Sequence, residues 1–205
     1  MEFLGGMYAF PGGSVTEDDC AEAVLRRCYG PSRTEAQKIL GDNARPDLSL
    51  GHWVAATREL FEEVGVLLCV GEDGKALNMS AQALKRRLTE KRLALLEGSM
   101  DFPTLLESEK LYCNAPSLKC LSHWLTPEEF PIRFDTRFYV SLLPPGQAPL
   151  PNSQEVAESL WITPDRALKL CRQGDLPVIF STFATVRALA DFDSWPKLLA
   201  EFGLL

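Results

Sequence analysis

Three glutamates lie close together in the stretch Arg58–Val66, and their spacing is suited to binding a metal ion. In a helix each residue advances by about 100°. Glu59, Glu62 and Glu63 then lie at i, i+3 and i+4 and share one face. Like charges in this arrangement repel one another by a few tenths of a kcal/mol per pair. A hard cation such as Mg²⁺ prefers clustered carboxylate oxygens, so a bound cation would make this arrangement favourable.

The alternative for such a cluster is an amphipathic helix whose acidic face is simply solvated. That alternative must also account for Arg58 directly before the first glutamate and Gly65 directly after the pair. A glycine suits the end of a helix, because it adopts the left-handed conformation found there. We therefore favour metal binding at this stretch.

The glutamates need a helix to position them. We expect this helix to begin near Leu50 or Gly51 and to end at Gly65, with a buried strand at 66–70 directly after it. Its opposite face is apolar and can pack against a core; it carries Trp53, Leu60, Phe61 and Val64.

The composition restricts the classes of partner. The net charge of −7 argues against a nucleic-acid or anionic-membrane surface. Six cysteines without a C-x-x-C pair, and only two histidines, make a zinc site a poor interpretation. No apolar run reaches the roughly 18 residues of a membrane span, and no signal peptide is visible at the N-terminus. We expect a cytoplasmic protein.

The rest of the chain predicts an α+β fold, because strands and helices follow one another without a regular βαβ alternation. Residues 1–13 suggest a short strand that ends in the turn Pro11-Gly12-Gly13. A helical insertion is expected at about 20–50 and a helix-rich segment at about 76–115. Further strands are expected at 118–125, 133–143 and 158–162, and further helices at 163–170, 181–190 and 194–202.

Two separated stretches together resemble the Nudix hydrolases. The signature of that family runs glycine, five residues, an acid, a spacer, and then Arg-Glu-apolar-x-Glu-Glu-x-Gly-apolar. Gly13 is followed after five residues by Asp19, where the family usually has glutamate, and Arg58–Val66 matches the second half. The spacer is far longer than the usual seven residues and contains the insertion at 20–50.

The split signature is similar to that of the peroxisomal coenzyme A diphosphatases. Further matches to that subgroup are His123–Pro127, Arg133–Phe138, Glu155-Val156 and Trp161. The resemblance implies one Nudix domain over 1–205, with a mixed β-sheet sandwiched between helices. It also implies one or two strands ahead of the segment with which this chain begins, and it allows a homodimer.

The resemblance implies hydrolysis of the pyrophosphate bond in a nucleoside diphosphate linked to another moiety, with Mg²⁺ or Mn²⁺ as cofactor. Coenzyme A or an acyl derivative is the expected small-molecule substrate. Phe10 belongs to a motif associated with coenzyme A recognition, although Glu2 stands where that motif has a basic residue. The alternatives are an ADP-ribose or NADH diphosphatase and a non-catalytic member that only binds a nucleotide.

The same resemblance assigns roles at the acidic stretch. Glu62 and Glu63 are the expected metal ligands, with the Gly13 carbonyl as a further one. Glu59 is either a ligand or the base that orients the attacking water. Arg58 holds a carboxylate of this set in place.

Residues outside the signature carry less specific patterns. Glu155, or Glu158 behind it, could supply a further catalytic acid. Arg133 and Arg137 lie on one side of a predicted strand and could receive phosphate, but a structural ion pair with Asp135 fits them as well. Two features are more often structural than functional: His52, and the basic run formed by Lys85, Arg86, Arg87, Lys91 and Arg92.

Overall fold

In a computed structural model of the chain, the glutamates lie in the last two turns of helix α3 (Pro46–Val64). The structure describes residues 6–41, 44–77, 79, 81–150 and 158–202. Helix α3 begins earlier than the predicted Leu50, because Pro46 occupies its first turn, where the fixed φ of proline suits a helix. It ends where predicted, at Gly65, whose φ of 71° is left-handed.

The described residues divide into two compact units, and α3 belongs to the unit formed by Pro11–Lys119 and Val140–Glu158. The other helices of this unit are α1 (Glu22–Leu25), α2 (Arg33–Leu40), α4 (Gln82–Leu96) and α5 (Phe102–Ser108). Short 3-10 turns lie at Asp18–Cys20 and Ala115–Ser117. Helices α1 and α2 lie within residues 20–50, and both pack against α3. That this segment is an insertion stays a prediction.

Three short strands of this unit form a mixed sheet: β1 (Cys28–Tyr29), β2 (Cys69–Gly71) and β3 (Leu111–Asn114). β3 is the central strand and pairs parallel to β1 and antiparallel to β2. In this register Cys113 lies between Cys28 and Cys69. The sequence analysis expected a strand only near β2 and missed the other two.

The apolar face of α3 packs into the core of this unit. Trp53, Val54 and Phe61 are buried on it. The Trp53 indole N–H also donates to the Leu118 carbonyl at 3.0 Å, which satisfies the polar atom of a buried ring. With one face fixed in the core, α3 directs its acidic residues to the other side.

The second unit comprises Met1–Phe10, Cys120–Tyr139 and Ser159–Leu205. Strands β4 (Lys119–Leu125) and β5 (Asp135–Val140) pair as a two-stranded sheet, and each extends one residue beyond this unit. Its helices are α6 (Pro164–Gln173), α7 (Phe180–Leu189) and α8 (Trp195–Glu201). A small core forms around Ala167, Leu168, Leu176 and Val186.

Most elements of the second unit lie where the sequence predicts them, and one does not. Tyr8 forms a parallel bridge to Val178, which agrees with an extended segment before Pro11-Gly12-Gly13. Residues 158–162 have no strand. Trp161 is 79% exposed, so its apolar side chain does not pack into a sheet, and the strand prediction at this segment was wrong. That 1–205 is a single Nudix domain stays a prediction.

Candidate active site

Arg58 connects the two separated stretches of the split signature. Its guanidinium forms two hydrogen bonds with the Asp19 carboxylate, Nε to Oδ1 at 2.8 Å and Nη2 to Oδ2 at 2.9 Å. Asp19 is only 2% exposed, so the pair lies largely out of water. Paired, parallel hydrogen bonds of this kind give geometric specificity as well as energy.

The same guanidinium reaches two of the glutamates. Nη1 of Arg58 donates to Glu59 Oε1 at 2.8 Å and to Glu62 Oε2 at 3.1 Å. Nη2 also donates to the Ser14 carbonyl at 3.1 Å, in the loop that follows the glycine turn. One cation therefore holds two neighbouring carboxylates and the loop beside them.

The Pro11-Gly12-Gly13 turn lies directly against the acidic face of α3. The Gly12 amide donates to Glu63 Oε2 at 3.1 Å. A Cβ on Gly13 would lie 2.3 Å from Glu59 Oε1, so a side chain at this position would displace the Glu59 carboxylate. Glycine at position 13 therefore lets the turn approach Glu59 where that carboxylate now lies, and it is the glycine that the sequence analysis placed in the split signature.

Burial sets the electrostatics of the cluster. It raises the pKa of Glu62, and the attraction of Arg58 offsets that effect only in part. Burial also lowers the pKa of Arg58, but the hydrogen bond and the charge of Asp19 outweigh it, so that this pKa is raised. Arg58 therefore stays charged while the carboxylates around it remain partly desolvated.

Thr16 is a residue of this site that the sequence analysis missed. Its amide and its hydroxyl each donate to Asp19 Oδ2 at 2.9 Å. A threonine three residues before an acid, at the start of a helical turn, is a known capping pattern and could have revealed it. Thr16 fixes the carboxylate that in turn fixes Arg58.

The donor types at this end of α3 fit a hard divalent cation, since carboxylate oxygens are its preferred ligands. Within the described ranges, no three acidic, histidine or cysteine side chains are grouped so as to hold an ion. Glu59 and Glu62 turn toward Arg58, and Glu63 turns toward the Gly12 amide. The assignment of these residues as ligands stays a prediction.

The expected substrate-binding residues Phe10, Arg133 and Arg137 all lie in the second unit. Nη1 of Arg137 donates to Asp135 Oδ1 at 2.7 Å, the ion pair that the sequence analysis kept as an alternative. His123 Nε2 lies 2.6 Å from the same oxygen. Arg133 Nε donates to a backbone carbonyl at 3.0 Å, and the Phe10 ring packs edge-on against Phe138 with centroids 6.0 Å apart.

Three further candidates from the sequence analysis are Glu155, Glu158 and His52. Glu155 falls outside the described residues. Glu158 is exposed, and His52 is partly buried on α3.

The fold itself defines a class of protein. The chain is similar to the crystal structure of a NUDIX hydrolase from Alicyclobacillus acidocaldarius, with a TM-score of 0.71 and 24% identity over 98% of this chain and 83% of that one. At this identity the likeness shows the fold, and it confirms the α+β Nudix architecture.

The sequence places the chain within that class. The model of the NUDT19 Nudix domain matches residues 32–189, and the chain belongs to this family of Nudix hydrolases. The match includes Arg58–Val66 and begins after Gly13 and Asp19. The assignment of Gly13 and Asp19 to the first half of the signature therefore depends on their contacts with Glu59 and Arg58.

The curated relatives carry related names. The chain is 26% identical to the acyl-coenzyme A diphosphatase NUDT19 of Xenopus laevis, over 82% of this chain and 51% of that protein. It is 27% identical to the protein of the same name from Gallus gallus, over 94% and 59%. A putative nudix hydrolase 7 of Caenorhabditis elegans is 28% identical over 80% and 43%. The chain thus spans about half the length of these relatives.

Nudix hydrolases generally use divalent metal ions. Among the helices of the described residues, none is long and apolar enough to cross a membrane.

Proposed function

We propose that this chain hydrolyses the pyrophosphate bond of a nucleoside diphosphate linked to another moiety, with coenzyme A or an acyl-coenzyme A as substrate and Mg²⁺ or Mn²⁺ as cofactor. The observation that carries the proposal is the Arg58 cluster. One guanidinium holds Asp19, Glu59 and Glu62 together, and the adjacent glycine turn holds Glu63. A solvated acidic face has no need of such an arrangement.

The choice of substrate is supported by the names of the relatives. The Xenopus laevis and Gallus gallus proteins are named acyl-coenzyme A diphosphatases. Both are less than 30% identical to this chain, so coenzyme A as the substrate is a more specific claim than hydrolysis of a pyrophosphate bond. An ADP-ribose or NADH diphosphatase would use the same acidic cluster.

In this proposal Glu62, Glu63 and the Gly13 carbonyl hold the ion. A bound Mg²⁺ or Mn²⁺ would neutralise charge on the pyrophosphate and lower the pKa of a nearby water. Glu59 lies against the glycine turn and accepts from Arg58, which fixes one of its oxygens. The other oxygen is then available to a ligand or to the proton of the attacking water.

The expected substrate-binding residues differ in what they could contribute. Arg133 is the better candidate for a phosphate, because its side chain is 40% exposed. The side chain of Arg137 is only 4% exposed and is paired with Asp135, so its role would be to order the strand. Phe10 would contribute an apolar contact, and Glu155 a further acid.

The function is tested with a hydrolysis panel of coenzyme A, an acyl-coenzyme A, ADP-ribose and NADH, each with Mg²⁺, with Mn²⁺ and with a chelator. We expect metal-dependent cleavage, fastest with the coenzyme A compounds. A preference for ADP-ribose or NADH would overturn coenzyme A as the substrate but leave pyrophosphate hydrolysis as the reaction. No cleavage of any compound with either metal would overturn the enzymatic proposal.

A matched pair of variants tests whether the acidic cluster performs the reaction. Glu62→Gln keeps the size of the side chain and removes its charge, and we expect turnover to fall by about two orders of magnitude or more. Glu90→Gln is the control, because Glu90 lies exposed on α4 and pairs only loosely with Arg86 at 3.7 Å. Equal activity of the two variants would remove Glu62 from the site.

A further inference from the structure

The C-terminal end of α3 is completed by residues from elsewhere in its unit. The last four carbonyl groups of a helix have no partners within a regular helix and must find others. The Phe61 carbonyl accepts a hydrogen bond from the Gly65 amide at 2.9 Å. The Val64 carbonyl accepts one from the Leu150 amide at 2.8 Å. The two carbonyls between them belong to the acidic residues Glu62 and Glu63.

Arg92 on α4 binds both of these carbonyls. Its Nε donates to the Glu62 carbonyl at 3.0 Å, and its Nη2 donates to the Glu63 carbonyl at 2.8 Å. The guanidinium is a rigid fork with donors in fixed directions, so two bonds to successive carbonyls fix the turn that carries both residues. Arg92 is partly buried where it does this.

The charge of Arg92 also matters at this position. The C-terminal end of a helix carries partial negative charge, which disfavours carboxylates on its last turn. Glu62 and Glu63 are two such carboxylates. A guanidinium on the carbonyls beside them offsets the partial negative charge of the helix end.

Three other basic residues of the run pair with glutamates that lie outside α3. Arg87 and Lys91 pair with Glu109, at 3.0 and 3.3 Å, and Arg86 pairs with Glu90. Arg92 instead donates to carbonyls of α3.

Gly65 makes room for this contact. A Cβ at Gly65 would lie 2.9 Å from Arg92 Nη1. The glycine therefore serves the left-handed turn and also the close approach of the guanidinium.

We propose that Arg92 is a positioning residue, which holds the last turn of α3 so that Glu62 and Glu63 present their carboxylates to a divalent cation. The inference rests on the proposed function for the identity of the ligand. It assigns to the helix-rich segment a role in building the metal site.

The test measures Mn²⁺ binding directly, from the electron paramagnetic resonance signal of the free ion during titration of the whole chain. We expect Arg92→Gln to weaken Mn²⁺ binding by about tenfold, as loss of a group that orients metal ligands commonly does. Arg92→Lys keeps the charge and loses the forked pair of donors. We expect its Mn²⁺ affinity to lie between those of the unchanged chain and Arg92→Gln. Arg87→Gln, which removes an arginine from the same helix, should bind Mn²⁺ as the unchanged chain does.

Leu88→Ala separates positioning from general loss of stability, because Leu88 is buried on α4 and its side chain has no hydrogen-bond donor for either carbonyl. Unfolding by urea is recorded for every variant. Unchanged Mn²⁺ binding in Arg92→Gln overturns the inference, as does equal weakening in Leu88→Ala. If Arg92→Gln does not fold, Arg92→Lys decides, and Mn²⁺ binding as tight as in the unchanged chain overturns the inference.

The two proposals can fail separately. An unchanged chain that binds Mn²⁺ but cleaves nothing in the hydrolysis panel overturns the proposed function alone, and the Arg92 comparison still stands on binding. An unchanged chain that binds no Mn²⁺ overturns the role of Arg92.

Discussion

The guanidinium of Arg58 and the carboxylate of Asp19 face each other across two hydrogen bonds of 2.8 and 2.9 Å, although the residues are 39 positions apart in sequence. This contact holds together two stretches that the usual family signature joins through a short spacer. It brings the loop that carries Gly13 to the helix that carries the glutamates. The segment between them can therefore be long without separating the two halves of the signature.

We expect Asp19→Ala to destabilise the chain by about 3 kcal/mol, because it leaves the largely buried charge of Arg58 without its main partner. The free energy of unfolding in urea measures this. Asp18→Ala is the control, since Asp18 is exposed beside it and should change stability little. Equal stability of the two variants would contradict a structural role for the pair.

Gly13→Ala should lower turnover by about 100-fold while the chain stays folded, because the new methyl group displaces the Glu59 carboxylate. Steady-state kinetics with the best substrate of the hydrolysis panel checks this. Ser14→Ala is a matched control in the same loop, because only its backbone carbonyl contacts Arg58. Activity retained in Gly13→Ala would show that Glu59 tolerates displacement.

The contact of Glu109 with Arg87 and Lys91 predicts a pH dependence of stability. The hydrogen bond from Arg87 holds the pKa of Glu109 below its ordinary value. A lowered carboxyl pKa stabilises the folded chain above the unfolded pKa, and this contribution is lost as the pH falls through the folded one. Glu109→Gln should therefore cost about 1 kcal/mol at neutral pH.

That difference should shrink as the pH falls below the ordinary glutamate pKa and through the lowered pKa of Glu109 in the folded chain. Urea unfolding at several pH values measures it. Glu90→Gln, which removes an exposed partner of Arg86, should show no comparable dependence. A constant difference between Glu109→Gln and the unchanged chain at all pH values would contradict the assignment.

Arg133 and Arg137 should respond differently to removal of their charge. We expect Arg137→Met to destabilise the chain by about 2 kcal/mol, because a nearly buried guanidinium loses its bond to Asp135. Arg133→Met should leave stability unchanged and raise KM by about tenfold, if its exposed guanidinium binds phosphate. Thermal unfolding and KM are measured for both variants. An unchanged KM in Arg133→Met would remove it from substrate binding.

The sequence located the acidic helix well because its signals are local. The end of α3 follows from the conformational freedom of Gly65, which requires no knowledge of the rest of the fold. The meeting of Gly13 with Glu59 could be expected only through the resemblance to a known signature. The distance between them in the chain is bridged by Arg58 and Asp19, whose pairing is a long-range contact.

The parts that were missed depend on such long-range contacts. Strand β3 (Leu111–Asn114) has four residues, and its pairing with Cys28–Tyr29 and Cys69–Gly71 leaves no periodic pattern in its own sequence. Arg92 belongs to a run of basic residues whose composition suggests a solvated face. Only the packing of α4 on α3 distinguishes it from Arg87.

The bond between the Leu150 amide and the Val64 carbonyl has a consequence for the order of events during synthesis. Local contacts form early in folding, whereas contacts between distant residues wait until both have been made. Most of α3 can form as soon as it is synthesised, but its last turn lacks Arg92 and then Leu150 until much later. A nascent chain would therefore carry its acidic residues on a frayed helix end. If the proposed metal site is correct, the ability to retain a cation is acquired late, when most of the remaining fold already exists.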